Sequence, residues 1–460
     1  MASFSDYKVW SWILIFGILF ASLLVGNIIK RRAPFMKESL IPTSVLGGAV
    51  LLIIAAIFKW ITGEVMFDTA IFEGNGTEKL EIITYHTLAL GFIASTFKST
   101  NKKLTKGRSS EIFNTGVTTV ATYLLQGTFG LIIAFCATLF IKDFFVASGV
   151  LLPLGYGQGT GQALNYGLIY EEAGFSGGAN FGLTIAALGF LSASLGGVVH
   201  LIIIKKRGRL VYSKRTDGSL HSEPLESQNE IPMTESVDKM TIQLAFIFVA
   251  YVICYGIIVG LSKILPGFSS ILYGFNFIIG VLVAIVIKLI HNLLYKKKII
   301  RRKYTNNFLM TRVSNFCFDL MVVAGVAAIR LDKLESYWGV LIIMGVAGIA
   351  VTYVYNRIVA KKLFPDYYEE QFLMMYGMLT GTASTGTILL REIDRDFKTP
   401  ASDNMVYQNF PAMVLGFPLM FLANLAIKRP LLTLIIFIVF FAVLNVVLFR
   451  SFIFKKRKSK

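Results

Sequence analysis

Nearly charge-free apolar stretches, each about the length of a membrane span, recur along this chain. We count about eleven by the hydropathy criterion. They cover residues 9–29, 41–58, 82–97, 112–141, 173–204, 240–262, 264–287, 313–329, 336–356, 404–427 and 430–449. A spanning segment must satisfy its own backbone hydrogen bonds, so each stretch predicts an α-helix. The sequence therefore predicts an all-α polytopic membrane protein of about 11 transmembrane helices.

The composition supports the same class. Hydrophobic residues make up 55% of the chain and charged residues 16%, and the mean hydropathy is +0.66. A soluble domain has about 45–50% apolar and about 25% charged residues. A soluble enzyme, a disordered protein and a disulfide scaffold are thereby excluded. Cys136, Cys254 and Cys317 each lie in an apolar run and are interpreted as reduced packing thiols.

The net charge of +18 is concentrated in short clusters between the apolar runs. No nucleic-acid-binding motif accompanies them, so no nucleic-acid partner is expected. The basic clusters lie at 30–37, 98–108, 205–215, 296–303, 357–362 and 455–460. The positive-inside rule places these clusters in the cytoplasm and the acidic loop 62–81 outside. The N-terminus is then outside and the C-terminus is cytoplasmic.

Two further uncharged stretches, 144–170 and 371–390, are interrupted by dense runs of glycine and hydroxyl residues. If either crossed the bilayer fully, a basic cluster would be moved to the outside. We therefore predict that both are re-entrant hairpins, the first entering from outside and the second from the cytoplasm. Irregular backbone at that depth is tolerated where it is buried in protein or lines an aqueous cavity.

The hairpins fall at matching places in two halves of the chain. Five spans and a hairpin form residues 1–204, and five spans and a hairpin form residues 241–428. An odd number of spans inverts the second half, which is a common plan of secondary transporters. Residues 205–240 are predicted to be a cytoplasmic linker. Residues 429–460 add one helix and a basic cytoplasmic tail.

The hairpin tips carry the candidate binding residues. Glycines let the backbone approach a ligand, and broken helices expose amides that suit carboxylates and carbonyls that suit Na⁺. The candidate substrate-binding residues are Gly157, Gln158, Gly159, Thr160, Thr382, Ser384, Thr385 and Asn424. Small residues also serve helix packing in membranes, which is the alternative interpretation of these clusters.

Four residues are candidate sodium ligands: Thr160, Asp319, Gly381 and Thr385. Asp319 stands out because it is an acid well inside a predicted span, where a charge costs at least about 2.5 kcal/mol. It could bind a cation or carry a proton. A paired or interfacial acid is the equal alternative, since Arg312 lies on the same helix.

The tip motifs resemble those of the bacterial glutamate:sodium symporter (ESS) family. The segment 156–161 (Tyr-Gly-Gln-Gly-Thr-Gly) resembles a family motif that reads roughly Gly-Gly-His-Gly-Thr-Gly. The segment 381–385 (Gly-Thr-Ala-Ser-Thr) matches the ends of the family's Gly-Ala-Thr-Pro-Thr. Gln158 replaces the family histidine, and Ala383 and Ser384 replace Thr-Pro. Residues 41–48, Gly416 and Asn424 add to a resemblance that covers roughly 9–428.

This resemblance implies a sodium-coupled symporter of glutamate or a related acidic amino acid in the bacterial inner membrane. Sodium would be co-transported, and the protein would be a homodimer with a moving transport domain. The alternative is a cation-coupled carrier of another organic anion, such as a di- or tricarboxylate. A gated channel is a second class. No ATP-binding loop and no hydrolase motif is present in the sequence, so an enzyme is not expected.

Overall fold

The computed structural model describes residues 4, 6–33, 41–98, 106–206, 237–266, 269–394 and 398–453. α-Helices form the regular structure of these ranges, joined by short 3₁₀ turns. The numbered helices are α1 (Tyr7–Arg32), α2 (Thr43–Thr62), α3 (Gly76–Phe97), α4 (Lys106–Ala137), α5 (Leu151–Glu172), α6 (Gly178–Lys206), α7 (Lys239–Ile264), α8 (Asn276–Lys296), α9 (Asn307–Ala327), α10 (Trp338–Leu363), α11 (Tyr368–Thr380), α12 (Ala383–Arg391), α13 (Ala401–Tyr407), α14 (Asn409–Lys428) and α15 (Pro430–Leu448). Two further short helices, Ser269–Gly274 and Arg450–Ile453, are left unnumbered. Most of the predicted linker 205–240 and the basic tail lie outside the described residues.

Among the described helices, 11 are long and apolar enough to cross a bilayer. They are α1–α4, α6–α10, α14 and α15. This confirms the predicted fold class and the predicted number of spans. The segments with glycine-rich interruptions, α5 and the pair α11 and α12, are not among these spans.

One predicted span is displaced along the chain. The sequence predicted an apolar stretch at 264–287, whereas α8 occupies Asn276–Lys296. Lys288, whose charge ended the predicted stretch, donates its ammonium group to the carbonyl oxygen of Thr96 at 2.9 Å. Because this charge is hydrogen-bonded within the protein, the helix continues past it.

The chain divides into two compact units, and both combine segments from the two predicted sequence halves. Unit 1 comprises Met1–Leu19, Phe67–Lys103 and Asp217–Gly325. Unit 2 comprises Phe20–Met66, Leu104–Thr216 and Val326–Lys460. Both glycine-rich segments therefore belong to unit 2.

Unit 1 is held by close helix contacts and an apolar core. A Cβ at Gly91 on α3 would lie 2.8 Å from the ring of Phe318 on α9, and the Ser314 hydroxyl donates to the Gly91 carbonyl at 3.0 Å. Such small-residue contacts bring helix backbones together, as is common in membrane proteins. The ammonium group of Lys79 is buried in an ion pair with Glu73. A buried charge of this kind is tolerated because it is paired.

Helix α4 lies at the centre of unit 2. It runs parallel to α14: a Cβ at Gly116 would lie 2.7 Å from the ring of Pro411, and one at Gly416 would lie 3.5 Å from Val120. Its inner face is rich in buried threonine and glutamine, so polar side chains follow the length of the helix. These polar side chains are the candidates for contacts with the glycine-rich segments, α5 and the pair α11 and α12.

The eleventh span, α15, packs along α4. A side chain at Gly127 of α4 would overlap the buried ring of Phe437. At the far end of α15, the amide oxygen of Asn445 accepts a hydrogen bond from the Tyr355 hydroxyl at 3.1 Å. One face of the added helix, which carries the buried Thr433, Phe437, Leu444 and Leu448, therefore packs against unit 2.

Candidate functional site

Helix α5 is broken at Gly159. The backbone there has φ 78° and ψ −169°, a conformation that glycine adopts readily and other residues do not. A broken helix leaves carbonyl groups without an intrahelical partner. The carbonyl oxygen of Gly157 instead accepts a hydrogen bond from the Tyr123 hydroxyl of α4 at 3.0 Å.

The arm before Gly159 runs antiparallel to α4. Near its start, a Cβ at Gly149 would overlap the backbone of Gly130, and near its end Gly157 contacts Tyr123. Successive residues of this arm therefore contact α4 at positions closer and closer to the N-terminus of α4.

The arm after Gly159 runs parallel to α14. The Tyr166 hydroxyl donates to the carbonyl of Met420, and the Tyr170 hydroxyl donates to the carbonyl of Ala423, both at 2.9 Å. Since α14 is parallel to α4, the two arms of α5 point in opposite directions. The chain thus reverses at Gly159.

The second broken segment also reverses, between α11 and α12. A Cβ at Gly377 would lie 2.8 Å from the Cα of Gly386, so the two helices contact each other closely along glycine faces. The reversal occurs at Gly381 and Thr382. Thr382 is the N-cap of α12, and its hydroxyl oxygen accepts the Thr385 amide at 3.4 Å. Thr is a favourable N-cap because its oxygen satisfies an otherwise unpaired amide.

The two reversals meet at Gly189 of α6. A Cβ at this position would lie 2.6 Å from the carbonyl oxygen of Thr380 and 3.2 Å from the Cα of Tyr156. Thr380 precedes the second reversal, and Tyr156 precedes the first. The structure therefore brings the two predicted tip regions to one place inside unit 2.

Most of the predicted substrate-binding residues lie in these tip regions. Gly157, Gln158, Gly159 and Thr160 surround the first reversal, and Thr160 is fully buried. Thr382 and the fully buried Thr385 surround the second reversal. The side chain of Ser384 lies outside the described residues. Asn424 is on α14, and its amide nitrogen donates to the Met420 carbonyl at 2.9 Å.

The predicted sodium ligands fall in different units. Thr160, Gly381 and Thr385 belong to unit 2, whereas Asp319 belongs to unit 1 and its side chain is exposed. In the part of the chain that the structure describes, no group of three or more His, Cys, Asp or Glu residues could hold a metal ion.

Sequence reasoning missed three polar residues beside the second tip. Gln126 donates to the Leu379 carbonyl at 2.9 Å and to the Thr352 hydroxyl at 2.8 Å, and Asn356 lies one turn from Thr352. All three side chains are fully buried. The available signal was an amide side chain, Gln126, deep inside the predicted span 112–141, where polar groups are costly unless they bond. Asn356 is the last residue of the predicted span 336–356 and gave a weaker signal.

A charged cluster lies at the start of α11. The carboxylate of Glu369 is 2.8 Å from Nε2 of the buried His200 and 3.3 Å from the guanidinium of Arg357. Burial would raise the pKa of Glu369, but hydrogen bonds from His200 and Tyr368 and the charge of Arg357 lower it to about 2. The cluster thus anchors α11 to α6 and α10 at the end away from the tip.

The described helices define an all-helical multi-pass membrane protein. The model of the sodium/glutamate symporter family matches residues 12–387, and the chain belongs to this family. This match confirms the prediction of sodium-coupled symport of glutamate or a related acidic amino acid, with sodium as the co-transported ion. A search of the curated proteins returned no match.

Proposed function

We propose that both broken segments are re-entrant hairpins and that glutamate binds between their tips. The observation that carries this proposal is the convergence on Gly189, where a Cβ would meet backbone atoms of both Tyr156 and Thr380. Two half-helices begin at the tips: the second arm of α5 and α12. Their first amides and positive dipole ends favour the carboxylates of an acidic amino acid.

The tip side chains supply further partners for the amino acid in this proposal. Gln158, Thr160, Thr382, Ser384 and Thr385 contribute hydroxyl or amide groups, and Gly157 and Gly159 allow close approach. Asn424 is the candidate from α14. We add one residue to this set. Gln162 is almost fully buried, and both its amide nitrogen and its amide oxygen have no hydrogen-bond partner among the described residues. A bound amino acid would satisfy both atoms.

The sequence-based sodium ligands remain part of the proposal. Thr160, Gly381 and Thr385 are near the reversals, where unpaired carbonyls and hydroxyls suit Na⁺. Asp319 stays a prediction, either as a ligand of the coupling cation or as a carrier of a proton.

The orientation follows from the distribution of charge. We place the N-terminus outside and the C-terminus in the cytoplasm of a bacterial inner membrane, because the basic clusters then lie inside. In this orientation, residues 1–204 and 241–428 are inverted halves, and the hairpins enter from opposite sides. A homodimer is proposed on the family resemblance alone.

Uptake of radiolabelled glutamate by membrane vesicles tests the proposed site. We expect accumulation that requires an inward Na⁺ gradient and disappears when choline replaces Na⁺. Thr385→Val removes one hydroxyl at nearly constant volume and should raise the glutamate concentration needed for half-maximal uptake. Thr433→Val on α15, whose hydroxyl bonds its own helix at the Arg429 carbonyl, is the matched control. Equal uptake by the two variants would contradict the proposed site.

Competition assays separate glutamate from the alternative substrate class. Unlabelled aspartate and glutamate should inhibit uptake more strongly than citrate or malate. Stronger inhibition by a di- or tricarboxylate would favour the organic-anion carrier. Uptake against a glutamate gradient would exclude a channel.

A further inference from the structure

Two buried amide oxygens near the second tip have no hydrogen-bond partner among the residues that the structure describes. They are Oε1 of Gln126 on α4 and Oδ1 of Asn356 on α10, and both side chains are 0% exposed. A buried oxygen without a partner costs about 1–3 kcal/mol. Two such oxygens in one cluster indicate a partner that arrives with the transport cycle.

Neighbouring backbone carbonyl groups fix the orientation of both side-chain amides, because the amide nitrogen must face each carbonyl oxygen. The amide nitrogen of Gln126 donates to the carbonyl of Leu379 at 2.9 Å, and that of Asn356 donates to the carbonyl of Thr352 at 2.9 Å. If either amide were turned over, two oxygens that only accept would face each other. The unpartnered atoms are therefore acceptors, which a cation would satisfy.

Both amides are joined to a single cluster through hydroxyl groups. Gln126 donates to the hydroxyl oxygen of Thr352 at 2.8 Å, and Asn356 donates to the hydroxyl oxygen of Thr122 at 3.3 Å. Each hydroxyl oxygen has a second lone pair. The cluster thus offers two amide oxygens and two hydroxyl oxygens, which are the ligands that hard cations prefer.

We propose that this cluster, formed by Gln126, Asn356, Thr352 and Thr122, is a binding site for one co-transported Na⁺. The last turn of α11 adds negative potential, because Leu379 lies next to its C-terminal residue. The C-terminal end of a helix carries about half a negative charge. Neutral oxygens with such a helix end are sufficient to hold a monovalent ion inside a transporter.

The site also links the ion to the tip. Gln126 binds Leu379, which lies three residues before the N-cap Thr382. A cation at Oε1 polarises the amide and strengthens its donation to this carbonyl. The tip is then held in place before glutamate arrives. This linkage rests on the proposed glutamate site, whereas Na⁺ binding to the cluster does not.

Thermal unfolding of the purified full chain, titrated with Na⁺ at constant ionic strength in choline and without glutamate, tests the site. Wild-type protein should be stabilised by Na⁺, since a ligand of the native state raises its stability. Asn356→Leu should shift the half-maximal Na⁺ concentration at least about tenfold upwards, equivalent to about 1.4 kcal/mol. An unchanged half-maximal concentration in a folded Asn356→Leu protein would overturn the proposal.

Asn445→Leu is the matched control. The amide nitrogen of Asn445 also bonds the carbonyl four residues earlier, at 2.8 Å, but its oxygen is already bonded to Tyr355. This variant should keep the wild-type Na⁺ response. Asn445→Leu with the same tenfold shift would show that the effect is not specific to the cluster.

A second measurement, on the wild-type protein, tests the site even if Asn356→Leu does not fold. Experimental density maps obtained in saturating NaCl and in choline chloride should differ by a peak within coordination distance of both Gln126 Oε1 and Asn356 Oδ1. Identical maps there would overturn the proposal. If the peak is present and Thr385→Val leaves uptake unchanged, the ion site stands and the proposed glutamate site fails.

Discussion

Tyr123 donates its phenolic hydrogen to the carbonyl oxygen of Gly157 at 3.0 Å. The donor lies on the continuous helix α4, and the acceptor lies two residues before the break in α5. The Tyr123 hydroxyl therefore supplies the Gly157 carbonyl with a hydrogen-bond donor in place of the helix amide lost at the break. It also holds the first tip against a helix that contacts the second tip through Gln126.

Tyr123→Phe is expected to weaken the first tip. The ring is retained, but the half-buried Gly157 carbonyl loses its donor, which should destabilise the protein by about 0.5–1.5 kcal/mol. Thermal unfolding in detergent measures this loss, and glutamate uptake should fall with it. Tyr255→Phe is the control, because Tyr255 is exposed on α7. An unfolding temperature that is equally high in both variants would contradict the role assigned to Tyr123.

Gly189→Ala is expected to separate the tips. The new methyl group would meet the Thr380 carbonyl at 2.6 Å and the Tyr156 Cα at 3.2 Å, and both are backbone atoms. Overpacking of this kind costs about 1–3 kcal/mol, which corresponds to about fivefold or more in an equilibrium. Initial rates of Na⁺-driven glutamate uptake, normalised to the amount of protein in the membrane, measure the effect.

Gly256→Ala provides the comparison for this substitution. A Cβ at Gly256 on α7 would meet nothing within 4 Å, so its uptake should equal that of the wild type. If Gly189→Ala also transported at the wild-type rate, the close approach of the tips would have no part in transport.

Thr382→Val should weaken the start of α12. The hydroxyl that caps the Thr385 amide is lost, and removal of such a cap costs about 0.5–2 kcal/mol. Half-maximal uptake should then require several-fold more glutamate. Thr387→Val lies on the same helix, and its hydroxyl bonds only a helix carbonyl and a sulfur among the described contacts. A larger defect in Thr387→Val than in Thr382→Val would oppose the proposed carboxylate site.

Acid should weaken the contact between Lys59 and Asp332. The carboxylate is 2.9 Å from the Lys59 ammonium and 3.0 Å from the Arg330 guanidinium. Burial would raise the pKa of Asp332, but hydrogen bonds from Arg330 and Lys59 lower it from 3.8 to about 2. Because the folded-state pKa is lowered, the stabilisation is present above pH 3.8 and is lost as the pH falls towards 2.

Unfolding temperatures measured from pH 5 downwards test this dependence. Asp332→Asn should unfold at a lower temperature than the wild type at pH 5, and the difference should shrink as the pH falls. Asp143→Asn, at an exposed loop position, should follow the wild-type curve. A difference between Asp332→Asn and the wild type that stayed constant with pH would refute the assignment.

The sequence predicted the spans well because the bilayer imposes a length and an apolar composition on each. Its error at α8 arose from Lys288, whose hydrogen bond to Thr96 is a tertiary contact that hydropathy does not report. The first reversal lies in a predicted glycine cluster because the positive φ at Gly159 favours glycine. At the second reversal Gly381 has a φ of −148°, and the N-cap Thr382 is the residue signature.

The polar contacts beside the tips could not be predicted in the same way. Gln126 and Thr352 are separated by more than two hundred residues, and one sequence gives no measure of their proximity. Asn424 and Asn356 look alike in the sequence, since both are amides within spans. Only the fold distinguishes Asn356, whose amide oxygen has no hydrogen-bond partner within the described ranges.

Helix α15 fills a space between α4 and the start of α5. The ring of Phe437 fills the space over Gly127, next to Pro153 at the start of α5. A chain without α15 would leave a phenyl-sized space beside the start of α5. The ring of Phe437 therefore closes this space, and a movement of α4 away from α15 would open it.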